Sequence, residues 1–108
     1  MKPNVIDLQD CGLVDEHLEE LLAFMKNKEM VKELNLRRNK IGNQGATALA
    51  NFITSHDNTL QDVDLNRNWI EEAGAQKLID AIHKTIRIEK FAIGFGNLIS
   101  QYLVNAVD

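Results

Sequence analysis

Val31-Lys32-Glu33-Leu34-Asn35-Leu36-Arg37-Arg38-Asn39-Lys40-Ile41-Gly42 places apolar residues at 34, 36 and 41 with an asparagine at 39. The same frame returns as Val63-x-Leu65-x-x-Asn68-x-Ile70. Going backwards, Ile6-x-Leu8-x-x-Cys11-x-Leu13 fits it, and going forwards Phe91-x-Ile93-x-x-Gly96-x-Leu98 fits it more loosely. The four copies begin at residues 6, 34, 63 and 91, so they are spaced 28, 29 and 28 residues apart. A period this constant identifies a stack of supersecondary units, none of which can bury its apolar side alone.

Within each unit the apolar period changes. It is 2 in the opening block and becomes helical further on, where Leu21, Leu49 and Leu78 share one position and Met25, Ile53 and Ile82 another. Each unit therefore reads as a strand, a turn and a helix. Strands are expected around 5–9, 33–37, 62–66 and 90–94, and helices over 15–26, 43–55, 72–83 and 100–107. Asp15, Asn43, Glu72 and Ser100 stand at the expected helix caps. The stack implies a parallel sheet with helices on its inward face, joined by right-handed crossovers. The whole chain, 1–108, reads as one nearly self-contained α/β solenoid with repeats at about 3–30, 31–59, 60–87 and 88–108. A piece of a longer array is the alternative.

Single positions refine this picture. Asn39 and Asn68 follow the strands, where backbone groups lose their ladder partners and a buried amide can replace them. Cys11, in the same position, is expected to be buried and slow to react. Gly96 can make no such bond, which predicts an irregular fourth repeat. Gly45-Ala46 and Gly74-Ala75 stand where helix and strand backbones are expected to approach closely. The end copies carry His17-Leu18 and Tyr102-Leu103 there instead, and Pro3 and Lys90 read as edge-blunting residues.

Hydrophobic residues make up 44% of the chain and charged residues 26%, as in an ordinary globular protein. The net charge of −4 argues against general attraction to nucleic acid or to anionic membranes. No apolar run approaches the roughly 20 residues of a membrane span, and the first residues lack a signal-peptide core. One cysteine permits no internal disulfide, which suits a reducing, intracellular and cytoplasmic setting.

The segment from Val31 through Leu34, Leu36, Asn39, Ile41, Gly45-Ala46 and Leu49-Ala50 resembles the ribonuclease-inhibitor-like class of leucine-rich repeats. The third repeat matches it through Asn68, Ile70, Gly74-Ala75 and Leu78. That class includes ribonuclease inhibitors, activators of the small GTPase Ran, cytosolic immune receptors and actin-capping tropomodulins. The resemblance implies a curved scaffold that binds other proteins, and it carries no partner-specific motif onto this chain.

In each strand the two apolar residues point inward and their neighbours outward. The outward lanes are Val5, Glu33, Asp62, Lys90; then Asp7, Asn35, Asp64, Ala92; then Gln9, Arg37, Asn66, Gly94; and finally Asp10, Arg38, Arg67, Phe95. One part of this face is acidic, while Arg37, Arg38, Lys40 and Arg67 gather towards the rim beside Trp69. Trp69 is either an interface anchor or a side chain resting on the Lys40 stem. A protein partner is expected on Glu33, Asn35, Arg37, Arg38, Asp62, Asp64, Arg67 and Trp69.

Catalysis is not expected. His17, His56 and His83 fall at different frame positions, and no metalloprotease, redox, phosphate-loop or nucleophile-elbow motif occurs. Asp62 and Asp64 point the same way, but no third ligand is forced nearby, so no metal or other cofactor is anticipated. The alternatives are a GTPase-activating or other regulatory module, and a fragment of a larger repeat receptor or effector. Nucleic-acid binding through the arginine rim is disfavoured by net charge.

Overall fold

The computed structural model describes residues 4–26, 31–55 and 59–100. Strand and helix alternate as β1 (Val5–Asp7), α1 (Asp15–Met25), β2 (Glu33–Asn35), α2 (Asn43–Thr54), β3 (Asp62–Asp64), α3 (Glu72–His83) and β4 (Lys90–Ala92). The four strands form one parallel sheet in the order β1-β2-β3-β4. Ile6, Leu34, Val63 and Phe91 stand in register across it. The strands are shorter than the sequence pattern suggested, but their ladder continues. Leu8 donates its N–H to the Asn35 carbonyl, Leu36 to Asp64 and Leu65 to Ala92. The pairing ends where Asp10, Arg38 and Arg67 turn to φ near +60° (57°, 59° and 61°). The fourth helix expected at 100–107 lies beyond Ser100 and outside the described residues, as do Pro3, His56 and Tyr102.

Leu34, Leu36, Val63, Leu65 and Ile93 leave the sheet on one side and meet Leu18, Leu22, Met25, Leu49, Ile53, Leu78 and Ile79 from the helices, all buried. Removing these side chains from water is the main stabilising term. The apolar period of 2 in the strands and of helical spacing beyond converge on this single core. The opposite sheet face has no helix over it among the described residues.

The asparagines do what their positions require, and they act between repeats. Buried Asn39 accepts the N–H groups of Cys11 (3.1 Å) and Leu13 (2.9 Å), and its amide donates to the Leu8 and Leu36 carbonyls. Asn68 accepts from Ile41 at 3.0 Å and donates to Leu36 and Leu65. Each therefore reaches back one repeat. Cys11 is exposed, contrary to expectation, because no described repeat lies behind it to receive such bonds.

The fourth repeat corrects the sequence frame. Asn97, not Gly96, accepts the Ile70 N–H at 3.0 Å and donates to the Leu65 and Ile93 carbonyls. Ile99 packs against the core, whereas Leu98 is exposed. One extra residue after Ile93 shifts everything downstream. Gly96 then takes the left-handed turn held by Arg67 one repeat earlier, at φ 75°. A Cβ there would come within 2.9 Å of the Arg67 Cα, so the site requires glycine.

The expected caps also move. The N-caps are Val14, Gly42 and Glu71, one residue before Asp15, Asn43 and Glu72. Those three side chains serve the next repeat instead. Asp15 accepts the Gly42 N–H at 2.7 Å, Asn43 accepts those of Glu71 and Gly74, and Glu72 accepts that of Ser100. This explains the glycines at 45 and 74, which stand against the preceding helix and not, as the sequence pattern suggests, where a helix meets a strand. A Cβ on Gly45 would lie 2.6 Å from the Asp15 carboxylate, and one on Gly74 would lie 2.6 Å from the Asn43 amide oxygen. His17 holds the matching place in α1 and accepts the Val14 N–H through Nδ1, supplying locally what later helices receive from a neighbour.

Candidate functional site

The register sets Val5, Glu33, Asp62 and Lys90 side by side, and Asp7, Asn35, Asp64 and Ala92 in the next lane. Both lanes face away from the core. Val5, Asp7, Glu33, Asn35, Asp62 and Asp64 line a shallow concavity of about 240 Å³. Within it the Asp62 carboxyl is raised above its ordinary value of 3.8. Partial burial is the main cause and Glu33 adds to it; Lys90 opposes the shift, while Asp64 and Glu89 reinforce it.

Several of these side chains also shape the turn behind them. Asp7 accepts the N–H of Gln9, Asn35 that of Arg37, and Asp64 that of Asn66, each two residues on. The short polar side chain at this lane position is legible in the sequence, whereas its turn-holding role is visible only in the structure. Asn35 also donates to the Gln9 side chain at 3.2 Å. Asn66, in the adjoining lane, accepts the Phe95 N–H.

The division of charge is less sharp than the sequence implied. Arg37 leans towards the acidic lane and its guanidinium lies 3.8 Å from the Asp64 carboxylate, both side chains being partly exposed. A screened pair at this distance adds little stability. Arg38 and Arg67 are exposed on the rim, each at the start of a turn. Trp69 is 58% exposed, and the Lys40 ammonium sits 5.9 Å from its ring centroid. Lysine contact and ring exposure thus coexist. Arg67 stacks over Phe95 at 5.5 Å, a contact the sequence lanes suggested by adjacency alone.

The expected residues therefore share one face and its rim. Among the described residues no group of three or more His, Cys, Asp or Glu is arranged to hold a metal. No described helix is long and apolar enough to cross a membrane.

Residues 27–50 and 56–78 match the Leucine Rich repeat family. The chain is 28% identical over 97 residues to RAN GTPase-activating protein 2 of Arabidopsis thaliana, an alignment covering 90% of this chain and 18% of that protein. It is 30% identical over 70 residues to the ribonuclease inhibitor of Sus scrofa, covering 65% of this chain and 15% of the relative. The chain thus spans less than a fifth of either protein's length. The stacked strand–helix repeats, the asparagine bonds that join them and these matches lead to one conclusion: the chain is a leucine-rich-repeat solenoid similar to proteins of the ribonuclease-inhibitor-like class.

Proposed function

We propose that this chain is a binding scaffold, without catalytic chemistry of its own, that holds a protein partner on its open sheet face and adjoining rim. The observation that carries the reading is the sidedness of the sheet. Leu34, Leu36, Val63 and Leu65 are sealed under the helices, while Glu33, Asn35, Asp62, Asp64 and Arg37 remain partly accessible on the other side. Their backbones are held by neighbouring strands and their turns by buried asparagines, so the surface is pre-formed. Arg38, Arg67 and Trp69 extend it at the rim, and arginine and tryptophan are over-represented among the residues that dominate binding energy.

The test is affinity capture from cell extract, run with the parent chain and with charge-reversed variants. Asp62→Lys combined with Arg67→Glu should abolish capture of a partner, and Lys77→Glu on the helical side should leave it intact. With a purified partner, Trp69→Ala should weaken binding by about 1–3 kcal/mol without a comparable fall in Tm. Loss of capture with Lys77→Glu alone would move the site to the helical side.

The alignment across 90% of this chain with RAN GTPase-activating protein 2 supports a second reading, a regulatory segment of a GTPase-activating protein. It predicts faster GTP hydrolysis by Ran when this chain is added. A plain scaffold leaves that rate unchanged.

A further inference from the structure

The one-residue insertion in the fourth repeat builds a mixed apolar and cationic ridge along the rim. Lys40 donates its N–H to the Leu13 carbonyl, Trp69 to Ile41 and Leu98 to Ile70, at 2.8, 2.9 and 2.8 Å. These residues hold equivalent places on successive rungs, which lie about 4.8 Å apart in a parallel sheet. The inserted residue therefore brings Leu98 beside Trp69, where the unshifted frame would have buried it. Phe95 lies against Arg67 on the same rim. Trp69, Phe95 and Leu98 are 58%, 66% and 64% exposed, an unusual concentration of large apolar side chains on one short rim.

Among the described residues, no carboxylate lies within ion-pair distance of Arg38, Lys40 or Arg67. Three cations without a carboxylate partner among the described residues, beside three exposed apolar groups, define complementary chemistry. We propose that this rim binds an acidic peptide segment carrying large apolar side chains, its carboxylates on Arg38, Lys40 and Arg67 and its apolar groups against Trp69 and Leu98. The inference rests on the reading of this face as a binding surface, and it adds the kind of partner. A nucleic-acid strand fits less well. The acidic lane of Glu33, Asp62 and Asp64 adjoins the cations and repels a continuous polyanion, whereas a short acidic segment ends before reaching it.

A random peptide library selected on the immobilised protein tests this. The expected result is enrichment of Asp and Glu together with Trp, Phe or Leu. A synthesised winner should shift the fluorescence of Trp69, the chain's single tryptophan. Arg67→Glu and Leu98→Ser should each weaken it about tenfold at unchanged Tm, and Lys77→Glu should not. Winners without acidic enrichment, or winners indifferent to both rim variants, overturn the proposal. So does a single-stranded oligonucleotide that binds more tightly than the peptide through the same residues. So does a concentration-dependent dimer abolished by Arg67→Glu, which would assign the rim to a second copy. If extract capture depends on Asp62 and Asp64 but not on Arg67 or Leu98, the binding face stands and the acidic-segment inference alone fails.

Discussion

Repeats two and three differ from the first and fourth in what they supply to their neighbours. An inner repeat works in both directions. Its asparagine reaches back to the preceding repeat, and the first side chain of the next helix reaches forward, Asn43 to the backbone of Glu71 and Gly74. Among the described residues the first repeat's side chains reach forward, Asp15 accepting from Gly42, Gln9 from Asn35 and Glu19 from Gln44, and an exposed cysteine stands where asparagine would otherwise be. The fourth supplies the backward bond through Asn97, after an extra residue has moved it one place along. A repeat position is thus constrained by the direction in which its side chain must reach. The same position holds a bonded asparagine in the second and third repeats and an exposed cysteine in the first described one.

The largest expected effect tests that directionality. Asn68→Ala strands the Ile41 N–H and removes a donor from the Leu36 and Leu65 carbonyls in a buried setting. Such orphaned groups cost about 1–3 kcal/mol, and denaturant unfolding should show a loss in the upper part of that range. Asn39→Ala should behave alike. Cys11→Ala should be nearly neutral, and Cys11 should label rapidly with thiol reagents in the folded protein. Equal destabilisation at 11, 39 and 68, or protection of the thiol until denaturant is added, would break the comparison.

A smaller effect separates the two end turns. Gly12 and Gly96 both have positive φ, at 69° and 75°, but a Cβ on Gly12 meets open space and one on Gly96 meets the Arg67 backbone. Gly12→Ala should therefore cost only the left-handed conformation, roughly 1 kcal/mol. Gly96→Ala should cost more and should also disturb the Arg67–Phe95 contact. Identical Tm losses would mean that the fourth turn is as open as the first.

Most of the fold was legible because a repeat states its message several times. The strand register and the three described helices follow from period and spacing, and the outward lanes follow from alternation. What escaped was relational. The frame put Leu98 inside because it assumed a constant turn length; Asn97-x-Ile99 repeats the signal of Asn68-x-Ile70 one residue late and was the available clue. Position alone puts Cys11 in the interior, whereas a side chain that reaches backwards meets no described repeat at the first copy. In the sequence Asp15 and Asn43 look like caps of their own helices, because local capping is the commoner use of these residues. Their partners lie about one repeat away in sequence, where a local reading cannot see them. The candidate site was legible as a face. The side-chain pairs, Arg37 with Asp64 and Lys40 with Trp69, required the structure.

The smallest effect concerns the acidic lane, which an inner repeat keeps although it costs stability. Glu33 and Asp62 are register partners, and burial together with Glu33 raises the Asp62 carboxyl above 3.8, against the pull of Lys90. The folded state therefore holds this proton more tightly than the unfolded chain does. Between 3.8 and the raised value the native state carries more protons, so stability falls as pH rises through that interval, and the full penalty is present above it. Asp62→Asn removes the charge and keeps the shape. It should stabilise the protein at neutral pH by only a few tenths of a kcal/mol, because the lane is solvated and screened. The advantage should shrink as pH drops through the carboxylate range and fade with added salt. Denaturant unfolding of both chains across that range measures it. A gain independent of pH, or a loss at neutral pH, would show that repulsion across β2 and β3 is not what Asp62 contributes. If the gain appears and the same variant weakens partner capture, the carboxylate is held in an unfavourable place because binding requires it there.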